Sequence, residues 1–354
     1  MRLSTGTTLV LVVCGAVVVA LATGQLSFLR DATAWQLGFS VLPQSPSDPY
    51  VVTLAIAVLN TVCVAGTAIA LATVTGTLIA FVAIAGNRAW SRMAAGYVQF
   101  FRNMPLILQA LFWFAVITHL PGPRQALHLG PIALSNRGAS LPFPTTAGLS
   151  ATTAFVVGTA VVHLLLRRAG QHHRYRVWLM LAVGAATAAG VWLIGFPSDA
   201  FWSVPELTGF NFVGGIQLPT ELIALLIALA MFGSAYIAEI VRGGLETVPK
   251  GLIEAARALG LPAWVVEAKI RVPLALRAII LPLGSQFTTL TKATSIGLAI
   301  GFTDLFAVTL MSINQSGHTL ALLSVMTACF VLLNQAIVSG ANALNRAFQL
   351  PGAS

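Results

Sequence analysis

The chain reads as long apolar runs separated by short polar ones. The runs fall at 8–24, 55–86, 98–120, 150–167, 176–197, 220–241, 275–300 and 318–343. A helix of about 20 apolar residues crosses a hydrocarbon core of roughly 30 Å, so the pattern predicts about eight transmembrane helices. The run at 55–86 is over-long and is expected to carry an interfacial lead-in. Continuous apolar runs, rather than alternation, exclude a closed barrel. The expected fold is an all-α polytopic membrane protein.

Composition removes the soluble alternative. Of 354 residues 57% are hydrophobic and 8% charged, with a mean hydropathy of +0.88. A soluble domain needs about a quarter of its residues charged. The net charge of +9 does not point to nucleic acid, because the basic residues sit in short loops rather than along one face. They sort by topology instead. With the N-terminus in the cytoplasm, 15 of the 19 basic residues fall on inside segments: Arg2, Arg88, Arg92, Arg102, Arg167, Arg168, Arg174, Arg176, the stretch Arg242 to Arg277, and Arg346. Arg30, Arg124 and Arg137 lie outside and Lys292 lies within a run. This is the positive-inside bias. The first run, with Arg2 before it and Ala20-Leu21-Ala22 at its end, fits both a retained anchor and a cleaved signal peptide. Both leave the later spans in the same orientation.

Several chemistries are missing. Lys250, Lys269 and Lys292 are followed by Gly251, Ile270 and Ala293, so no Walker A phosphate loop is encoded. The six histidines include no His-Glu-x-x-His pair for zinc. The Gly138-x-Ser140 and Gly148-x-Ser150 triplets do not continue to a second glycine, as a serine-nucleophile turn requires. Cys14, Cys63 and Cys329 are far apart within apolar runs and read as buried packing residues. Neither catalytic residues, nor a metal site, nor a cofactor is expected.

The informative segment is polar. Arg242 to Ala278 is far longer than a hairpin between two spans needs. Pro249 suits the first turn of a helix, Gly260 its C-terminal stop, and Pro262 the start of a second helix that should end before Pro273. In the first helix Leu252, Ala256 and Leu259 recur at i, i+4 and i+7 and form an apolar stripe. Periodicity alone fits a helix lying on lipid headgroups or one seated in a partner's groove.

The spelling separates these. Glu254-Ala255-Ala256-Arg257-Ala258-Leu259-Gly260, followed after nine residues by Ile270-Arg271-Val272-Pro273, resembles the E-A-A-x3-G-x9-I-x-L-P loop of ABC-importer permeases, with Val272 the one departure. Phe101-Arg102-Asn103-Met104-Pro105-Leu106 and Ala238-Glu239-Ile240-Val241-Arg242-Gly243-Gly244 resemble the polar amino-acid branch of that family. The segments 120–125, 209–215 and 290–295 are similar to its long, general L-amino-acid permease subunits. The likeness covers roughly residues 50 to 343.

The resemblance implies a type I permease core of five spans, here the second, third, sixth, seventh and eighth. The fourth and fifth become an inserted hairpin. It also implies a division into a membrane anchor and outer loop at 1–49, a permease domain at 50–343, and a cytoplasmic tail at 344–354. Within the permease domain, 121–219 would hold the outer loops and inserted hairpin, and 242–278 the coupling loop. The implied partners are a separate ATPase subunit that hydrolyses ATP, a related but distinct second permease subunit, and an extracytoplasmic binding protein that delivers an L-amino acid. Glu254, Ala255, Ala256, Leu259, Gly260, Ile270 and Pro273 would couple to the ATPase. The implied location is a bacterial inner membrane.

A charge inside a span marks function or structural pairing. Lys292 stands among Thr288, Thr289, Thr291, Thr294 and Ser295. These residues fit a substrate pathway, with the ammonium meeting a carboxylate. They also fit a snorkelling lysine among threonines that bond back to helix carbonyls. Asp304 lies twelve residues on, about 18 Å along a helix, too far for a same-helix pair. Glu239 and Arg242, three apart, read as a local ion pair. Two competing functions remain: an ABC permease for another small solute, which would keep the loop, and a secondary transporter or channel, which would leave the 254–273 pattern unexplained.

Overall fold

The computed structural model describes residues 26–85, 87–168, 173–195 and 201–348. Contacts divide the chain into two units, one made of 1–115 with 221–354 and the other of 116–220. The predicted first span at 8–24 lies outside the described residues, as do Cys14 and the Ala20–Ala22 cleavage signal.

The first unit begins with α1 (Tyr50–Ile84), whose 35 residues include the expected lead-in as helix. Pro49 at its N-cap starts it where a missing N–H costs nothing. From Ala65 onward its buried residues are all small: Ala65, Ala68, Ala72, Gly76 and Ala80. Gly76 permits backbone contact, since a Cβ there would stand 2.7 Å from the Ser234 carbonyl oxygen of α6 (Thr220–Glu246). Small residues let helices approach where lipid supplies no hydrophobic drive.

The predicted third span is not one helix. Its first residues belong to amphipathic α2 (Arg88–Asn103), and the rest form α3 (Leu106–Thr118), bent 102° away. Pro105 lacks the N–H that would continue the ladder, and Met104 takes the extended conformation favoured before proline. Gln109, fully buried, fixes the elbow by donating to the carbonyls of Phe101 at 3.1 Å and Met104 at 3.0 Å. These are carbonyls that the end of α2 would otherwise leave unpaired.

The second unit holds α4 (Thr146–Arg168) and α5 (His173–Gly195), the expected hairpin, joined across their packing by a Thr187 hydroxyl donating to the Ala154 carbonyl at 3.1 Å. The outer segments, read as turns, also contain strands. β1 (Leu127–Leu129), β2 (Ile132–Ser135), β3 (Gly138–Leu141) and β8 (Ile216–Leu218) make one antiparallel sheet. Two-stranded pairs join β4 (Phe143–Pro144) to β5 (Trp202–Ser203), and β6 (Glu206–Thr208) to β7 (Asn211–Val213). The strands are two to four residues long, too short for a two-residue periodicity to stand out.

Back in the first unit, α7 (Lys250–Ala258) and α8 (Ala263–Val266) follow α6. The second loop helix does not stop before Pro273. A π-helical turn over Glu267–Arg271 carries it into α9 (Val272–Ala293), the wider winding accommodating the N–H that Pro273 lacks. Beyond α9 the backbone tightens into a 3₁₀ stretch, Thr294–Ile300, then bends 53° into α10 (Leu305–Ser316), which the hydropathy reading did not resolve. The last helix, α11 (Thr319–Phe348), takes in the first five residues of the expected tail.

Among the described residues four helices are long and apolar enough to cross a membrane: α1, α4 over Thr146–His163, α6 and α11. With each bent pair taken as one span the number is six. The expected fifth span is α5, of which Met180–Val191 forms a shorter apolar segment. Cys63 is exposed on α1 and Cys329 half-buried on α11, so neither is the fully buried packing residue expected.

Candidate functional site

The first helix of the polar loop folds as its punctuation predicts. Pro249 is the N-cap of α7, Leu259 its C-cap, and Gly260 takes φ +75°. The Leu261 N–H reaches back to the Ala256 carbonyl at 3.3 Å and that of Gly260 to Arg257 at 2.9 Å. This paired closure needs a left-handed residue, which glycine adopts without the Cβ clash. Pro262 then caps α8.

The surface that results exposes large apolar side chains among charged ones. Leu259 is 81% exposed, Trp264 68% and Leu252 49%. The predicted stripe is therefore split: Ala256 is buried against the chain's own fold while Leu252 and Leu259 face outward. Glu254 and Ala255 are exposed beside them, Ile270 is half-buried in the π turn, and Pro273 is exposed. Arg271 fastens the far side of the loop, donating to the Leu245 carbonyl at 3.2 Å and pairing with Glu267 at 3.2 Å. These contacts tie the loop that carries the apolar surface to the end of α6.

At the same end of the helices a cleft of 670 Å³ opens between α1, α2 and α6. Arg242 bonds both Glu239 oxygens and, at 2.7 Å, Glu246. The local pair expected from sequence is present and extends to a third residue. Arg102 enters the cleft from α2, its guanidinium 5.1 Å above the Tyr236 ring. Thus the segments 101–106 and 238–244, far apart in sequence, both line this one space. Gln109 and this convergence escaped the sequence reading. The Asn103-Met104-Pro105 boundary was the available signal for the elbow.

The candidate pathway residues divide. Lys292 lies in the last turn of α9, at the transition to 3₁₀ geometry, and is exposed without an ion pair among the described residues. Ser295 and Thr288 are half-buried, while Thr291 and Thr294 are fully buried. Each hydroxyl donates back to a carbonyl three or four residues earlier, Thr288 and Thr289 to Ser285, Thr291 to Phe287, Thr294 to Thr291, and Ser295 to Lys292. Asp304 is committed elsewhere, accepting the Ala307 N–H at 2.9 Å as the N-cap of α10 and lying 3.4 Å from the Thr294 hydroxyl.

Comparison with known proteins gives a consistent picture. Residues 178–349 match the family described as "Binding-protein-dependent transport system inner membrane component". The chain is 36% identical over 339 residues to the putative amino-acid ABC transporter permease protein YhdX of Escherichia coli, covering 92% of this chain and 85% of YhdX. It is 35% identical over 318 residues to the general L-amino acid transport system permease protein AapQ of Rhizobium johnstonii, covering 87% of this chain and 79% of AapQ. A solved structure, a crystal structure of an amino acid ABC transporter with histidines, aligns with TM-score 0.51 at 17% identity, covering 84% of this chain and 95% of that one.

Proposed function

Because the chain belongs to the ABC-importer permeases, in their polar amino-acid branch, we propose that it forms half of an ATP-driven import pathway for L-amino acids across a bacterial inner membrane. The single observation that carries the coupling half of this reading is the exposed apolar surface of Leu252, Leu259 and Trp264 on the loop 249–273. A helix that presents apolar side chains on a polar loop fits a partner's groove. Glu254 is the polar anchor beside it. ATP would be hydrolysed by the partner, since this chain carries no Walker A sequence.

The loop and its cations face the cytoplasm in this reading, with the N-terminus on the same side. A related but distinct permease subunit completes the pathway, and an extracytoplasmic binding protein delivers the amino acid. Lys292 belongs to the pathway as a cation for the substrate carboxylate, with Thr288 and Ser295 beside it and buried Thr291 and Thr294 shaping the helix behind it. Closure of the ATPases on ATP draws the two coupling helices together and turns the spans outward. ATP and the docked binding protein each act by binding one of the two states more tightly.

The test is uptake of labelled L-amino acids by a strain deleted for the gene and complemented with wild type or Glu254→Lys, with membrane levels checked. Loss on deletion, rescue by wild type and no rescue by a well-inserted variant are expected. Full rescue by Glu254→Lys would contradict the coupling role, and unchanged uptake on deletion would contradict the cargo.

A further inference from the structure

The cleft between α1, α2 and α6 holds more charge than the fold requires. Two carboxylates, Glu239 and Glu246, share one cation, Arg242. The α6 wall therefore keeps one unit of negative charge in excess, and it lies at a helix C-terminus, the end whose dipole favours a cation. Across the cleft Arg102 makes no ion pair within 4 Å among the described residues and rests on the Tyr236 ring, near enough for its charge to act on Glu239. The space is 670 Å³, within the range of small-molecule sites, and apolar Ile79 and Ile84 line it as well.

We propose that this cleft binds a free α-amino acid at the loop-side end of the pathway, with Arg102 taking the α-carboxylate and the Glu239–Arg242–Glu246 cluster taking the α-ammonium. A zwitterion needs a cation with open N–H donors and a net negative patch at close range, with room for a side chain. The cleft supplies all three. A guanidinium suits the planar carboxylate through paired N–H donors, and its ring contact keeps it in place without occupying those donors. Recognition would fall on the groups common to all amino acids and leave the side chain in the apolar part.

This inference rests on the amino-acid reading above, and its test separates the two. The assembled permease–ATPase complex, nucleotide-free and in lipid nanodiscs, is titrated with a radiolabelled mixture of the common L-amino acids. Saturable binding is expected, weakened about tenfold or more in Arg102→Gln and in Glu246→Gln, as loss of one charge-assisted contact implies. Arg102→Lys should restore part of it. Arg92→Gln, on the same helix but outside the cleft, should leave it unchanged. Absence of saturable binding, or equal binding in wild type, Arg102→Gln and Glu246→Gln, overturns the site. If gene-dependent amino-acid uptake persists alongside that result, the cleft alone is lost. If uptake does not depend on the gene, the cargo reading falls and the cleft assignment with it.

Discussion

The two ends of the larger unit solve opposite problems. At the end where α1 begins, a set of buried polar side chains ties the chain to itself. Asn60, fully buried, accepts the Val41 N–H at 3.0 Å and donates to the carbonyls of Phe39 and Thr303 at 3.0 Å each. The Thr61 hydroxyl accepts the Leu305 N–H at 2.9 Å, and Phe28 stacks on His318 at 4.1 Å. The segment before α1 is thereby fixed to α1 and to the start of α10. At the other end Leu259 and Trp264 stand exposed, and Arg102 makes no ion pair among the described residues. An end that satisfies itself holds the fold. An end that leaves apolar and charged groups open is built to meet something else.

That contrast can be broken from either side. The largest effect is expected at the open end on function: Glu254→Lys should abolish uptake with normal membrane levels, read by transport and immunoblot together. Gly260→Arg should do the same, through a backbone cost of about 1–2 kcal/mol at positive φ and a bulky cation at the proposed docking surface. Asn60→Leu should act on stability instead. It strands buried backbone groups, and each costs about 1–3 kcal/mol, so a lower unfolding temperature of the detergent-solubilised protein is the readout. Gln109→Leu should give a smaller loss of the same kind, because it uncovers the two carbonyls at the elbow. Lys292→Ala is expected to have the least effect on assembly while lowering transport. Unchanged uptake at unchanged expression would make Lys292 a structural residue. Loss of folding in Glu254→Lys, or loss of coupling alone in Asn60→Leu, would erase the distinction between the ends.

Much of this was legible in the sequence because it is written locally. Pro249, Gly260 and Pro262 set the helix boundaries of the loop through their own backbone restrictions, and the structure follows them. Long apolar runs mark α1, α6 and α11 because one side-chain type covers a whole helix. What escaped depends on neighbours distant in sequence or on competing local effects. Hydropathy passes through Pro105 without registering the 102° bend that Gln109 stabilises. Pro273 reads as a stop, yet a π turn carries the helix past it. The approach of Arg102 to Tyr236 joins residues 134 positions apart, which no periodicity encodes. Ala256 fits the apolar stripe by spacing but is covered by the chain's own fold, a fact that only packing decides.

We propose that the loop 249–273 seats the ATPase. The most direct measurement is the amount of the cognate ATPase subunit that stays bound to the tagged permease purified from membranes, compared between wild type and Leu259→Glu. Leu259 is 81% exposed, so the substitution leaves the permease fold intact. Retention should fall about tenfold or more, as loss of an interface anchor implies, at equal permease yield. Equal retention would contradict the account.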